Sequence, residues 1–284
     1  MNPVTVSIPQ FWLYQAAFFL QLVAVILFFV YAAEPRRGFS LAARTSLTAA
    51  VILQGVFLVF LGVAQGGLPL ASGFGALCFW SLDLAVLVLW AEWRHKLGLL
   101  GAFLAPLSAL MLLMGFRFAR VSSQATPGLA ELWLALHVAL AMFSYACFTV
   151  AAGTAAAYLV QARQLKRKQM SRWLYQLPPL NDIEALASAF ALIGSAALGI
   201  SLAAGFIWER KLGLAPTFAD PKVLFNIFLW LAYAGTSIMR RRFALRGRRY
   251  AFILLLLFVL VFFGYYLVNL YFGGHEFLTP AVGA

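Results

Sequence analysis

Eight apolar runs, each long enough to cross a bilayer, constrain this chain more than any other feature. They fall near 10–33, 43–63, 69–91, 97–116, 131–160, 183–207, 221–239 and 250–272, and a spanning helix needs roughly 20 apolar residues. Backbone groups in hydrocarbon must pair within the protein, so only helices and closed barrels can span. Barrel strands alternate apolar and polar residues, whereas these runs are continuous and rich in Leu, Ala and Phe. The expected fold class is all-α: a polytopic membrane helix bundle of about eight transmembrane helices. With no internal repeat or low-complexity linker between the runs, residues 1–284 are expected to form one transmembrane domain. No Lys or Arg precedes Arg36 and the first run exceeds a signal-peptide core, so that run is read as a retained helix.

Charge orients the bundle. The formal charge of +12 would suggest nucleic acid in a soluble chain, but only 11% of residues are charged and the positives lie in short loops. Sixteen Lys and Arg fall in the first, third, fifth and seventh loops, against five (Arg117, Arg120, Arg210, Lys211 and Lys222) in the others. Cytoplasmic loops collect such residues, so the odd loops are expected inside and both termini outside. No nucleic-acid partner is expected.

Helices five and six differ from the rest in texture. Ala151, Ala152, Gly153, Ala155, Ala156 and Ala157, then Gly194, Ala197, Gly199, Ala203 and Gly205, would let backbones approach closely and form the packed centre. Before helix six, Pro178 and Pro179 end a basic stretch, and Asn181 with Glu184 has capping-box spacing. Trp173 and Tyr175 are expected at headgroup level. Cys78 and Cys147 fall inside spans without a CxxC or CxxCH arrangement, which points to buried packing rather than a disulfide or covalent heme attachment.

Few residues could carry chemistry. The topology puts His137 at the outer end of helix five and His275 just beyond helix eight, on one side of the membrane. Imidazoles on different helices at one face suit axial ligation of a heme iron; the alternative is a pair of interfacial histidines meeting helix ends or headgroups. His95, between Arg94 and Lys96, is read as solvated. Asp83 is the acid well inside a span, at a cost of at least ~2.5 kcal/mol, and reads equally as a relay or as a protonated structural group. Asn226 and Asn269 suggest interhelical hydrogen bonds. Asp220 suits an N-cap with Pro221 at the first helical position. Trp208 marks the preceding interface, and Arg117, Arg120, Arg210 and Lys211 could meet heme propionates or lipid phosphates.

Several stretches together resemble the cytochrome c assembly family. They run from about Pro69 to His275 and comprise Glu131-Leu132-Trp133-Leu134-Ala135-Leu136-His137-Val138 followed by Ser144-Tyr145, Leu177-Pro178-Pro179-Leu180, Asp220-Pro221-Lys222, Trp230-Leu231-Ala232-Tyr233, Arg246-Gly247-Arg248-Arg249 and Gly274-His275. The resemblance implies a multi-pass protein of the bacterial inner (cytoplasmic) membrane that handles a b-type, non-covalently held heme. His137 and His275 would be the axial iron ligands, with Asp220, Trp208, Arg210 and Arg120 as accessory residues. It also implies partners: a second cytochrome c assembly subunit and an apocytochrome c, or, for a HemX-type member, a cytoplasmic heme-biosynthesis enzyme met by the basic loops. Two departures matter. The family's Trp-rich external motif is replaced by Gly213-Leu214-Ala215-Pro216-Thr217-Phe218-Ala219, and Ile238 stands near the place of a membrane-embedded histidine in heme exporters.

The expected function is therefore heme presentation at the outer face during cytochrome c biogenesis, without enzymatic chemistry, since no nucleophile-and-base arrangement or metal-hydrolase motif is present. A HemX-type regulator of heme biosynthesis is the alternative. From other classes, a small-solute transporter using Asp83, Asn226 and Asn269, or a scaffold subunit, remain as rivals.

Overall fold

The computed structural model describes residues 8–65, 67, 69–71, 73–95, 98–115, 129–168, 178–211, 213 and 220–272. Its helices are α1 (Ile8–Ala33), α2 (Arg37–Gln65), α3 (Gly73–His95), α4 (Gly98–Gly115), α5 (Leu129–Lys166), α6 (Leu180–Lys211), α7 (Pro221–Arg242) and α8 (Gly247–Phe272), with one 3-10 turn at Pro69–Ala71 before α3. Each sequence run thus becomes one helix, and among the described residues there is no strand. Among the described residues, seven helices are long and apolar enough to cross a membrane. The exception is α4, whose 18 residues span about 27 Å at 1.5 Å per residue, slightly under the hydrocarbon thickness. At 38 residues, α5 is the longest; it runs on through Arg163 and Lys166 beyond the apolar part of its sequence.

The helices assemble around α5, which packs against α3, α4, α6 and α8; its pairing with α6 is the most extensive in the molecule. The small residues explain that closeness. A Cβ at Gly194 would lie 2.7 Å from the Phe148 ring and 3.0 Å from the Cys147 Cβ, and on the side of α5 facing α4 one at Gly153 would lie 2.3 Å from a Leu104 methyl. Ala151, Ala155 and Ala157 of α5 and Ala197 and Ala204 of α6 are buried as well, as expected from their texture. Phe148 then stacks flat on Tyr233 of α7, with ring centroids 3.6 Å apart. Cys78 and Cys147 are both free and buried.

The α1–α4 group is held differently, by polar groups the sequence reading did not single out. Gln21 donates to Gln54 Oε1 and to Ser81 Oγ, both at 3.2 Å. Gln54 donates to the Cys78 carbonyl at 2.7 Å, and Ser81 to that of Ser108 at 2.8 Å. All four side chains are fully buried. Without water to compete, such bonds fix helix positions that apolar contact alone leaves free.

The basic end is tied by Glu184. Its carboxylate accepts from the Gly247 N–H at 3.0 Å and pairs with Arg240 at 3.4 Å, joining the start of α6 to the α7–α8 turn. Gly247 has φ +69, and this left-handed conformation favours glycine there. The expected Asn181–Glu184 capping box is replaced by this tie: α6 begins at Leu180, and its first N–H groups, of Asp182 and Ile183, bond the Pro179 carbonyl instead. A buried acid, Glu92, 2% exposed, lies near the other end of α3 from Gly73, where Gly101 N–H bonds it. Trp173 and Tyr175 lie outside the described residues.

Gly194→Val should destabilise the detergent-solubilised protein by about 1–3 kcal/mol through overpacking against Phe148. Gly235→Ala, with nothing within 4 Å, should leave the thermal unfolding midpoint unchanged or raised.

Candidate ligand site around His137

At the opposite end from Glu184, the first apolar turns of α5 lie on the last turns of α6. His137 is the polar group there. Its Nδ1 is 2.7 Å from the Ser201 carbonyl oxygen and 3.1 Å from Ser201 Oγ, and Ser201 Oγ donates back to the His137 carbonyl at 2.8 Å. Gly205, one turn further along α6, makes room for the ring: a Cβ there would come within 2.9 Å of Nδ1. Every hydrogen bond of this imidazole among the described residues uses Nδ1 and none uses Nε2. Ser201 and Gly205 are the neighbours of His137 that sequence reasoning did not connect with it; the available signal was their i, i+4 spacing on the small-residue face of α6.

Around the histidine lie aromatic and charged groups. Trp133, one turn before His137, receives the Lys211 ammonium 5.2 Å from its ring centroid. Trp208 and Glu209 occupy the last turn of α6, each with a buried polar atom, Nε1 and Oε2, that has no hydrogen-bond partner among the described residues. Glu209 is near enough to interact electrostatically with His137. Arg210 is exposed beside them. Asp220 caps α7 as expected, accepting from Lys222 N–H at 2.8 Å, with Pro221 at the first helical position. Two turns inward from His137, the Tyr145 hydroxyl donates to Asn226 Oδ1, and Asn226 Nδ2 donates to the Lys222 carbonyl at 2.9 Å. The interhelical bond expected of Asn226 is therefore present. Tyr145 also meets Trp80 and Tyr265, with ring centroids 5.3 and 5.9 Å away, and so connects α3, α5 and α8 beneath the site.

His275, Arg117 and Arg120, and the side chains of His95 and Asn269, lie outside the described residues. Asp83 sits midway along α3, within electrostatic reach of Cys147 on α5. Its Oδ2 is buried with no hydrogen-bond partner among the described residues. Among those residues no group of three or more His, Cys, Asp and Glu is placed to hold a bare metal ion. One imidazole with an unengaged nitrogen, flanked by aromatic faces and cations, is instead a donor set that fits an axially ligated, carboxylate-bearing macrocycle.

A sequence model of cytochrome C assembly proteins matches residues 70–275, well over half of the chain. The chain belongs to the cytochrome c assembly protein family. It is a multi-pass, heme-handling membrane protein of that type. Among its relatives, Protein HemX of Brevibacillus brevis is 28% identical over 236 residues, covering 83% of this chain and 87% of that protein. Protein HemX of Bacillus subtilis is 25% identical over 76% of this chain and 79% of its own length. Cytochrome c biogenesis protein CcsA of Guillardia theta is 24% identical, with coverages of 73% and 75%.

In this family member Tyr145→Phe and Asn226→Leu should each lower stability by about 1–2 kcal/mol, because each leaves a buried polar partner or contact unmade. The double variant should lose less than the two together, a coupling of about 0.5–2 kcal/mol readable in a thermal double-mutant cycle.

Proposed function

We propose that the chain binds heme non-covalently at the membrane face opposite its basic loops, with His137 as one axial ligand and His275 as the other. The observation that carries this reading is the His137 imidazole itself: it stands at that end of the bundle with Nδ1 anchored and, among the described residues, Nε2 unengaged. Family membership supplies the heme. By the positive-inside rule the face is extracytoplasmic, and the membrane is the bacterial cytoplasmic membrane. Trp133 and Trp208 offer aromatic surface to a porphyrin. Arg210, Lys211 and Arg120 supply cations for its propionates, and Asp220 supports them indirectly by starting α7.

Bound there, heme is a ligand or cargo, open to an apocytochrome c and a second assembly subunit on the outer side. The chain's own part is to ligate, orient and shield it, with no catalytic step. A HemX-type role in control of heme biosynthesis is the second reading, favoured by the greater identity and coverage of the Brevibacillus relative than of the Guillardia one. In that case the cytoplasmic partner would be a soluble heme-biosynthesis enzyme meeting Gln161 to Arg172 and Arg240 to Arg249. The transporter reading is weakened because Asn226 is already bonded to Tyr145 and the Lys222 carbonyl.

Heme titration of the purified protein, followed by its visible spectrum, tests the proposal. The wild type should show a saturable six-coordinate low-spin form. His137→Ala and His275→Ala should each convert it to a high-spin form or abolish it. Absence of saturable uptake by the wild type would sink the ligation.

A further inference from the structure

We infer that Ser201 and Gly205 are positioning residues that lock His137 as its Nδ1–H tautomer, so that Nε2 is the nitrogen presented to iron; the link to iron rests on the ligation proposed above. The hydrogen-bond geometry around one ring edge makes the assignment. A backbone carbonyl has only lone pairs to offer, so the 2.7 Å approach of the Ser201 oxygen to Nδ1 requires a proton on Nδ1. The alternative tautomer would set two lone pairs against each other at that distance. Ser201 Oγ agrees with the first arrangement: its own proton goes to the His137 carbonyl at 2.8 Å, leaving its lone pairs turned to Nδ1 at 3.1 Å. One serine thus accepts from the ring through two atoms and donates to the backbone that carries it.

Gly205 closes the arrangement by exclusion. The ring edge fits only because α6 has no side chain there, since a Cβ would lie 2.9 Å from Nδ1 and 3.1 Å from Cε1. The obstructing atoms belong to a rigid ring whose Nδ1 is bonded to the same helix, so they cannot yield without breaking that bond. Ligating histidines are characteristically oriented through the nitrogen not bound to metal, and a carbonyl acceptor there fixes the tautomer and raises the basicity of the other nitrogen. Ser201 is fully buried, with no exposure to water that would compete for these bonds.

The test uses the full-length protein in lipid nanodiscs, free of heme, with 15N- and 13C-labelled histidine. Resonances of His137 are assigned by their loss in His137→Gln. The wild type should show the Nδ1–H tautomer alone. Gly205→Ala should give a mixture of ring states and weaken heme binding at least tenfold. Ser201→Ala, which keeps the carbonyl acceptor, should weaken it several-fold, and Ser201→Thr should restore it; circular dichroism checks that each variant retains its helices. An Nε2–H tautomer in the wild type overturns the lock, as does a Gly205→Ala protein with wild-type ring signals and heme affinity. The Nδ1–H tautomer in a protein that takes up no heme supports the lock and overturns the ligation instead.

Discussion

The close approach of α5 to α6 is the constraint on which the rest depends. It exists because glycine and alanine line the seam, and because in lipid no hydrophobic force draws helices together beyond what packing and interhelical bonds provide. At mid-span the seam lets Phe148 pass over Gly194 and reach Tyr233, which recruits α7. At one end it brings Ser201 and Gly205 against His137. A wider separation would lose the imidazole's anchor and the stacking together, so the same short contact both builds the core and sets the site.

The two ends of the bundle carry opposite chemistry. One end gathers the basic loops and is tied by Glu184 to Arg240 and the Gly247 amide. The other holds His137, Trp133, Trp208 and Lys211. Between them, the α1–α4 group is fixed by the Gln21, Gln54, Ser81 and Ser108 bonds, and the Trp80, Tyr145 and Tyr265 rings connect that group to α5 and α8. The His137 end thus rests on a polar-bonded half and a small-residue half, joined by aromatic packing.

The helices were legible because a bilayer imposes length and hydropathy on each one, and those are properties of a single segment. The Asp220 cap and the small-residue seam were legible for the same reason: each is local or compositional. The Gln21–Gln54–Ser81 bonds were not, because three polar residues in three apolar runs reveal their meeting only once the helices are placed. Glu184 illustrates a local rule overridden: its spacing from Asn181 suits a cap, but the Gly247 amide and Arg240 take the carboxylate. His137 stood out as a rare histidine, whereas its Ser201 and Gly205 supports looked like any other small residues of α6.

Chemical rescue of His137→Gly tests the central claim most directly, because it asks whether the space on the Ser201–Gly205 surface accepts an imidazole that then reaches iron. Electron paramagnetic resonance of the ferric-heme complex should show a low-spin bis-imidazole signal in the wild type, a high-spin signal in His137→Gly, and the low-spin signal again when free imidazole is added. A low-spin wild-type spectrum that persists in His137→Gly without imidazole would contradict the account, because the iron would then take its ligand from elsewhere.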